Sequence, residues 1–128
     1  MNRYDFSAAR AHFAAKNGLT TGPHELTGML DRKEDIVVVD VRFPSDFRKG
    51  HVPGAVNLPK GKWDKPEGLA KDKLNVFYCY NQTCHMAAEA AIELIAQGYP
   101  VVEMEGGFAT WEANGYPIEI AQPKAAWR

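Results

Sequence analysis

Residues 36–41 read Ile-Val-Val-Val-Asp-Val, a β-branched and almost wholly apolar run. A strand with one wet face alternates polar and apolar residues, whereas a strand covered on both faces, as in a parallel sheet, is apolar along its length. The run therefore predicts a buried strand of an α/β fold. Leu74-Asn75-Val76-Phe77-Tyr78 is a second strong strand, ended by Cys79, and Val101 to Met104 a third. The 128 residues are enough for one buried core and too few for two ordinary ones, and a content of 45% hydrophobic and 24% charged residues is that of a globular domain.

Helical patterns lie between these runs. Residues 5–17 place Phe6, Ala9 and Phe13 on one face, with Asn17-Gly18 as a stop signal, and form an N-terminal helical extension over residues 1–19. A short helix starts at Gly22-Pro23 and runs through Leu26, Met29 and Leu30, since proline is harmless where its missing N–H would be unpaired. From Met86 an apolar stripe of Ala87, Ala90, Ala91, Leu94 and Ile95 opposes Glu89, Glu93 and Gln97, and Gly98 ends the helix. Gly106-Gly107 is a turn into a last short helix, Phe108 to Asn114. Residues 59–73, with five lysines, two prolines and two glycines, read as a surface loop with room for one helical turn. Residues 121–128 form a loosely held tail in which Trp127 is a candidate for docking.

A formal charge of −1 supplies no clustered positive charge for nucleic acid or an anionic membrane, so neither is expected as a partner. Asp5, Arg10 and Lys16 interrupt the N-terminus, which therefore lacks the apolar core of a signal peptide, and the expected location is cytoplasmic. Cys79 and Cys84 are too few for a disulfide scaffold; in a reducing compartment such cysteines are catalytic, redox-active or buried.

Cys79-Tyr80-Asn81-Gln82-Thr83-Cys84-His85 joins a strand to a helix. In open α/β sheets ligands gather at that junction, where helix N-termini offer unpaired N–H groups to anions. Amide dipoles there favour a thiolate and lower a cysteine pKa from about 8.5 toward neutrality. The same amides would hold an anionic substrate. The alternative reading makes Cys79 a small hydrophobe at a strand end.

Sequence elsewhere bears on that choice. Asp40-Val41-Arg42, Gly50-His51-Val52-Pro53-Gly54-Ala55, Val76-Phe77-Tyr78-Cys79, and Glu105-Gly106-Gly107 with Trp111, Gly115 and Pro117 resemble, in this order, the rhodanese family. The resemblance covers about residues 20–119 and marks residues 20–120 as a rhodanese-like domain. It implies a small, mainly parallel sheet flanked by helices on both faces and a nucleophilic cysteine in a loop of inward-pointing amides. It also implies a sulfurtransferase without a cofactor. Cys79, matched to the family's nucleophile, would take a sulfane sulfur from a small anion such as thiosulfate or from a persulfide donor. It would carry it as a persulfide and pass it to cyanide or a thiol, on a small molecule or a protein.

The chain departs from the family where its sulfurtransferases commonly carry arginines: Cys84 stands five residues after Cys79, and Tyr80 directly after it. Binding of thiosulfate would then rest on the amides of residues 80–85, with His85 and the lysines of residues 60–65 as candidate helpers. Cys84 has three readings: a resolving thiol that forms a disulfide with Cys79, the nucleophile itself behind a Thr83 helix cap, or a packing residue. Cys79, Cys84 and His85 supply three of the four ligands of a structural zinc site, and no metal is expected. His51 is read as ordering its turn. Asp40 and Arg42 are read as a structural pair, with Arg42 also a candidate substrate contact. Two rival functions remain: an inactive rhodanese-fold module that binds a partner or senses oxidation, and a phosphatase or arsenate reductase, which would need a loop arginine.

Overall fold

Alternation along the buried strands sets the layers. Val38, Val76 and Tyr78 face one way and pack with Leu26, Met104, Phe108 and Trp111, whereas Val39, Val41 and Phe77 face the other and pack with Ala87, Ala90 and Leu94. Because successive side chains of a strand point to opposite faces, a run that is apolar at both parities needs cover on both sides, and helices supply it. The computed structural model describes residues 3–121 in this arrangement. Trp127 and the rest of the expected tail after Ala121 lie outside the described residues.

The elements in chain order are α1 (Phe6–Leu19), β1 (Thr20–Thr21), α2 (Pro23–Asp31), β2 (Ile36–Asp40), α3 (Pro44–Lys49), β3 (Val56–Asn57), β4 (Leu74–Tyr78), α4 (Met86–Ala96), β5 (Val101–Met104) and α5 (Gly107–Ala113). The five strands form one parallel sheet in the order β1-β5-β4-β2-β3. The register sets Val39 beside Phe77 and Asp40 beside Tyr78, so β2 and β4 end side by side. Each fully buried valine or phenylalanine contributes about 1.5–3 kcal/mol of transfer free energy, and the central pair β2 and β4 carries several of them. Among the described residues no helix is long and apolar enough to cross a membrane.

Three expectations need correction. The helix α1 runs past Gly18 to Leu19, because Thr20 enters β1 and pairs with Glu103 of β5; strand pairing, not glycine, ends the helix. The shared face of Phe6 and Phe13 is not docked on the core: the two are 71% and 57% exposed, and no α1 residue is buried. The 59–73 segment forms turns without a helix, yet it is anchored: Trp63 is buried and its Nε1 donates to the Leu58 carbonyl at 3.0 Å. The six-residue α3 was not expected. Pro44 at its first turn, Asp46 near its start and Arg48 and Lys49 in its last turn were its sequence signals.

Candidate active site

The C-terminal ends of β2, β4 and β5 converge on the 79–85 loop. Beneath it lies a buried polar network. Asp40 and Arg42 are 0% and 4% exposed, which would be costly for isolated charges, and they are fully paired. Arg42 Nε donates to both Asp40 carboxylate oxygens at 3.1 Å, and Arg42 Nη2 donates to Oδ2 at 2.8 Å and to the Gly50 carbonyl at 2.6 Å. The Tyr78 hydroxyl donates to Asp40 Oδ2 at 2.6 Å and accepts from the Val52 amide at 3.1 Å. Burial works against the Arg42 cation, but the hydrogen bond and charge of Asp40 outweigh it and raise the arginine pKa. Burial, and then the Asp40 charge, push the Tyr78 hydroxyl well above its usual range, so it stays a neutral donor.

His51 belongs to the same scaffold. Its Nδ1 lies 2.7 Å from the Phe47 carbonyl, its Nε2 3.2 Å from Glu119 Oε1, and its ring stacks on Phe47. These contacts hold the Gly-His-Val-Pro turn, as expected of a histidine that orders it. Glu119 also accepts from the Gly54 amide at 3.1 Å; that bond, then the His51 bond, holds its carboxyl below the usual range.

Above the network, Cys79 leaves β4 with 2% exposure. Cys84 is half-buried, its Cα stands 6.5 Å from that of Cys79, and the two are joined as a disulfide. The loop between them is held from three directions. Asn81 Oδ1 accepts from the Thr83 amide at 3.1 Å and from the Thr83 hydroxyl at 3.0 Å, and the Asn81 carbonyl accepts from the Cys84 amide at 3.2 Å. Gln82 Oε1 accepts from the Gly106 amide at 2.5 Å. The Tyr80 hydroxyl donates to Asp46 Oδ2 at 2.5 Å and accepts from the Phe43 amide at 3.2 Å. The amides of Tyr80, Asn81, Gln82 and His85 have no acceptor among the described residues. They are unpaired backbone donors of the loop that follows the cysteine.

The expected Thr83 cap is not formed. His85 occupies the N-cap position of α4 without a side-chain hydrogen bond, and Thr83, two residues earlier, donates its hydroxyl to Asn81 Oδ1 in a local turn. A glycine makes this geometry feasible from the far side. Gly107 has φ +62°, and a Cβ there would sit 2.6 Å from the Asn81 nitrogen and 2.8 Å from the Cys79 carbonyl oxygen, closer than backbone tolerates. The close approach lets the first turn of α5 bond the loop: the amides of Phe108 and Ala109 donate to the carbonyls of Cys79 and Tyr80, both at 2.9 Å.

The electrostatics are set by dipoles and carboxylates. No lysine or arginine lies in residues 79–85. Glu105 meets Gln82 Nε2 at 3.4 Å and Lys16 at 3.9 Å. Half-burial, then the charge of Glu105, raises the Glu103 carboxyl, with His85 opposing. Lys62 and Lys65 line a cleft of about 550 Å³ with Pro44, Asn57 and Asp64, and no residue of the 79–85 loop lines it. Among the described residues no three His, Cys, Asp or Glu side chains are grouped to hold a metal ion.

Of the residues singled out from sequence, the structure brings Cys79, Cys84 and residues 80–85 into one loop with Arg42 below it. Asp46, Gln82 as a latch to Gly106, and the Gly107 contact were not foreseen. The Gly-Gly pair was the one available signal for the last of these.

The chain is similar to known proteins. The model of the rhodanese-like domain matches residues 22–114. The thiosulfate sulfurtransferase GlpE of Pseudomonas putida is 36% identical over 105 residues, which cover 80% of this chain and 93% of that one. The HTH-type transcriptional regulator Rv0324 of Mycobacterium tuberculosis is 32% identical over 98 residues, 74% of this chain, but the match spans only 43% of the regulator. The crystal structure of the BH2092 protein from Bacillus halodurans superposes with a TM-score of 0.82 at 28% identity, covering 91% of this chain and 87% of that one. With its buried parallel sheet and its strand–cysteine–loop–helix unit, the chain belongs to the rhodanese-like domain family.

Proposed function

We propose that this chain is a sulfurtransferase in which Cys79, with the disulfide reduced, carries a sulfane sulfur as a persulfide. The observation that carries this reading is the set of loop amides without acceptors, those of Tyr80, Asn81, Gln82 and His85, next to the thiol that ends β4. The sulfurtransferase named among the relatives over nearly its full length supports it. A Cys79 thiolate attacks the outer sulfur of the donor, the donor's remaining group leaves with the bonding electrons, and the amides stabilise the charge on the terminal sulfur. Arg42 acts from below, through Asp40 and Gly50, as a positioning residue for the ends of β2 and β4. The sulfur then passes to a thiol.

The absence of lysine and arginine from the loop, and the presence of Asp46 and Glu105 beside it, favour a donor with less negative charge than thiosulfate, such as a low-molecular-weight or protein persulfide. Intact-mass spectrometry of reduced protein after incubation with thiosulfate, and separately with a small persulfide, tests both points. In a Cys84→Ser background, gain of one sulfur, absent when Cys79→Ser is added and larger with the persulfide, is expected. No gain with either donor would refute sulfur carriage.

A further inference from the structure

Cys84 lies where its thiol can finish the reaction that Cys79 begins. The Cα separation of 6.5 Å is within the span a disulfide bridges, and the two residues are joined in this structure. Both also belong to one apolar cluster with Trp63, Ala87 and Leu94. The contacts that shape the loop do not involve either sulfur: Asn81 holds Thr83, Gln82 holds Gly106, and α5 bonds the carbonyls of Cys79 and Tyr80. The sulfur–sulfur bond can therefore open and close on a loop whose anchors stay in place.

We propose that Cys84 is a resolving thiol that releases the carried sulfur as hydrosulfide and leaves the Cys79–Cys84 disulfide. The inference rests on the persulfide reading above. The proton of Cys84 passes to the terminal sulfur of the Cys79 persulfide, and the Cys84 thiolate attacks Cys79 Sγ. A Cys79–Cys84 bond forms, the bond from Sγ to the sulfane sulfur breaks, and HS⁻ departs with the electron pair and the proton. The two cysteine sulfurs together lose two electrons and the sulfane sulfur gains two. A dithiol, small or on a protein, then reduces the disulfide by thiol–disulfide exchange and is itself oxidised to a disulfide. The chain would thus couple a sulfane-sulfur donor to a dithiol reductant, with hydrosulfide as product.

The test is a single turnover without added thiol. Reduced, desalted wild type, Cys84→Ser and Cys84→Ala each receive one equivalent of a small persulfide, and hydrosulfide and intact mass are followed together. The wild type is expected to release close to one hydrosulfide per chain and to settle two hydrogens below its reduced mass. Both variants are expected to keep the added sulfur and to release hydrosulfide only when dithiothreitol is supplied. A wild type that keeps its sulfur and releases no hydrosulfide overturns the inference while leaving Cys79 as carrier; so does a variant that releases hydrosulfide as fast as the wild type. If neither wild type nor variants take up sulfur, the persulfide reading fails and this inference with it.

Discussion

Two polar regions sit at the same edge of the sheet, and they differ in how completely they are satisfied. In the Asp40–Arg42–Tyr78 network both carboxylate oxygens, the guanidinium Nε and Nη2 and the phenol hydroxyl are bonded to other protein groups. In the 79–85 loop, a few ångströms of chain further on, four amides donate to nothing among the described residues. Burying polar groups is tolerated when they are matched, so the matched region is scaffold. On the function proposed above, the unmatched donors are the groups that would hold charge on a sulfur carried by Cys79. Residue type alone does not make this distinction: Arg42 and His51 have side chains suited to catalysis, and both are committed to holding turns.

The comparison can be broken most sharply at its two ends. Cys79→Ser is expected to bring sulfite release from thiosulfate and uptake from a persulfide down to background, with a stability cost, measured under reducing conditions, well below that of Asp40→Ala. Asp40→Ala is expected to act in the opposite sense. It leaves the Arg42 cation buried without its partner and costs about 3–5 kcal/mol in urea unfolding, while any molecules that fold still take up sulfur on Cys79. Equal stability losses for the two variants would erase the distinction between scaffold and reactive loop.

Gly107→Ala probes the boundary between the regions. Its Cβ would push against the Asn81 nitrogen and the Cys79 carbonyl, so the amide set should be displaced. Sulfur uptake is expected to fall about tenfold, the loss of about 1.4 kcal/mol of stabilisation of the charged sulfur, and a stability cost of about 1 kcal/mol for a side chain at positive φ accompanies it. The smallest expected effect is on pH. The Glu119 carboxyl is depressed in the folded state by Gly54 and His51, so its contribution is complete above the unfolded carboxylate pKa and fades as pH falls through the lower folded value. Chemical unfolding of wild type and Glu119→Gln should therefore differ most near neutrality and converge in acid, with no effect on sulfur uptake.

How much of this could be read in the sequence follows from how each element is specified. The strands β2, β4 and β5 announce themselves because both of their faces are buried, which writes apolar residues at consecutive positions. The edge strands β1 and β3 are two residues each, too short to carry a period, and they exist because β5 and β2 offer partners. The helix α3 has only six residues, so the proline and the charges of its first and last turns were its only signals. In the site, Cys79 and the loop were legible from the strand that precedes them and the helix that follows. The contacts that shape the loop were not. Tyr80 finds Asp46 across 34 positions and Gln82 finds Gly106 across 24, pairings that only the fold creates. Thr83 misled because α4 begins only at Met86 with His85 at the cap position, which leaves Thr83 two residues outside it, its hydroxyl donating to Asn81 Oδ1.

A crystal structure of reduced Cys84→Ser after reaction with a small persulfide would examine the central claim at atomic level. The account expects one extra sulfur on Cys79 Sγ, with the terminal atom within hydrogen-bond reach of at least two of the amides of Tyr80, Asn81, Gln82 and His85. An unmodified Cys79, or an added sulfur turned away from these amides toward the core residues Ala87 and Leu94, would contradict it.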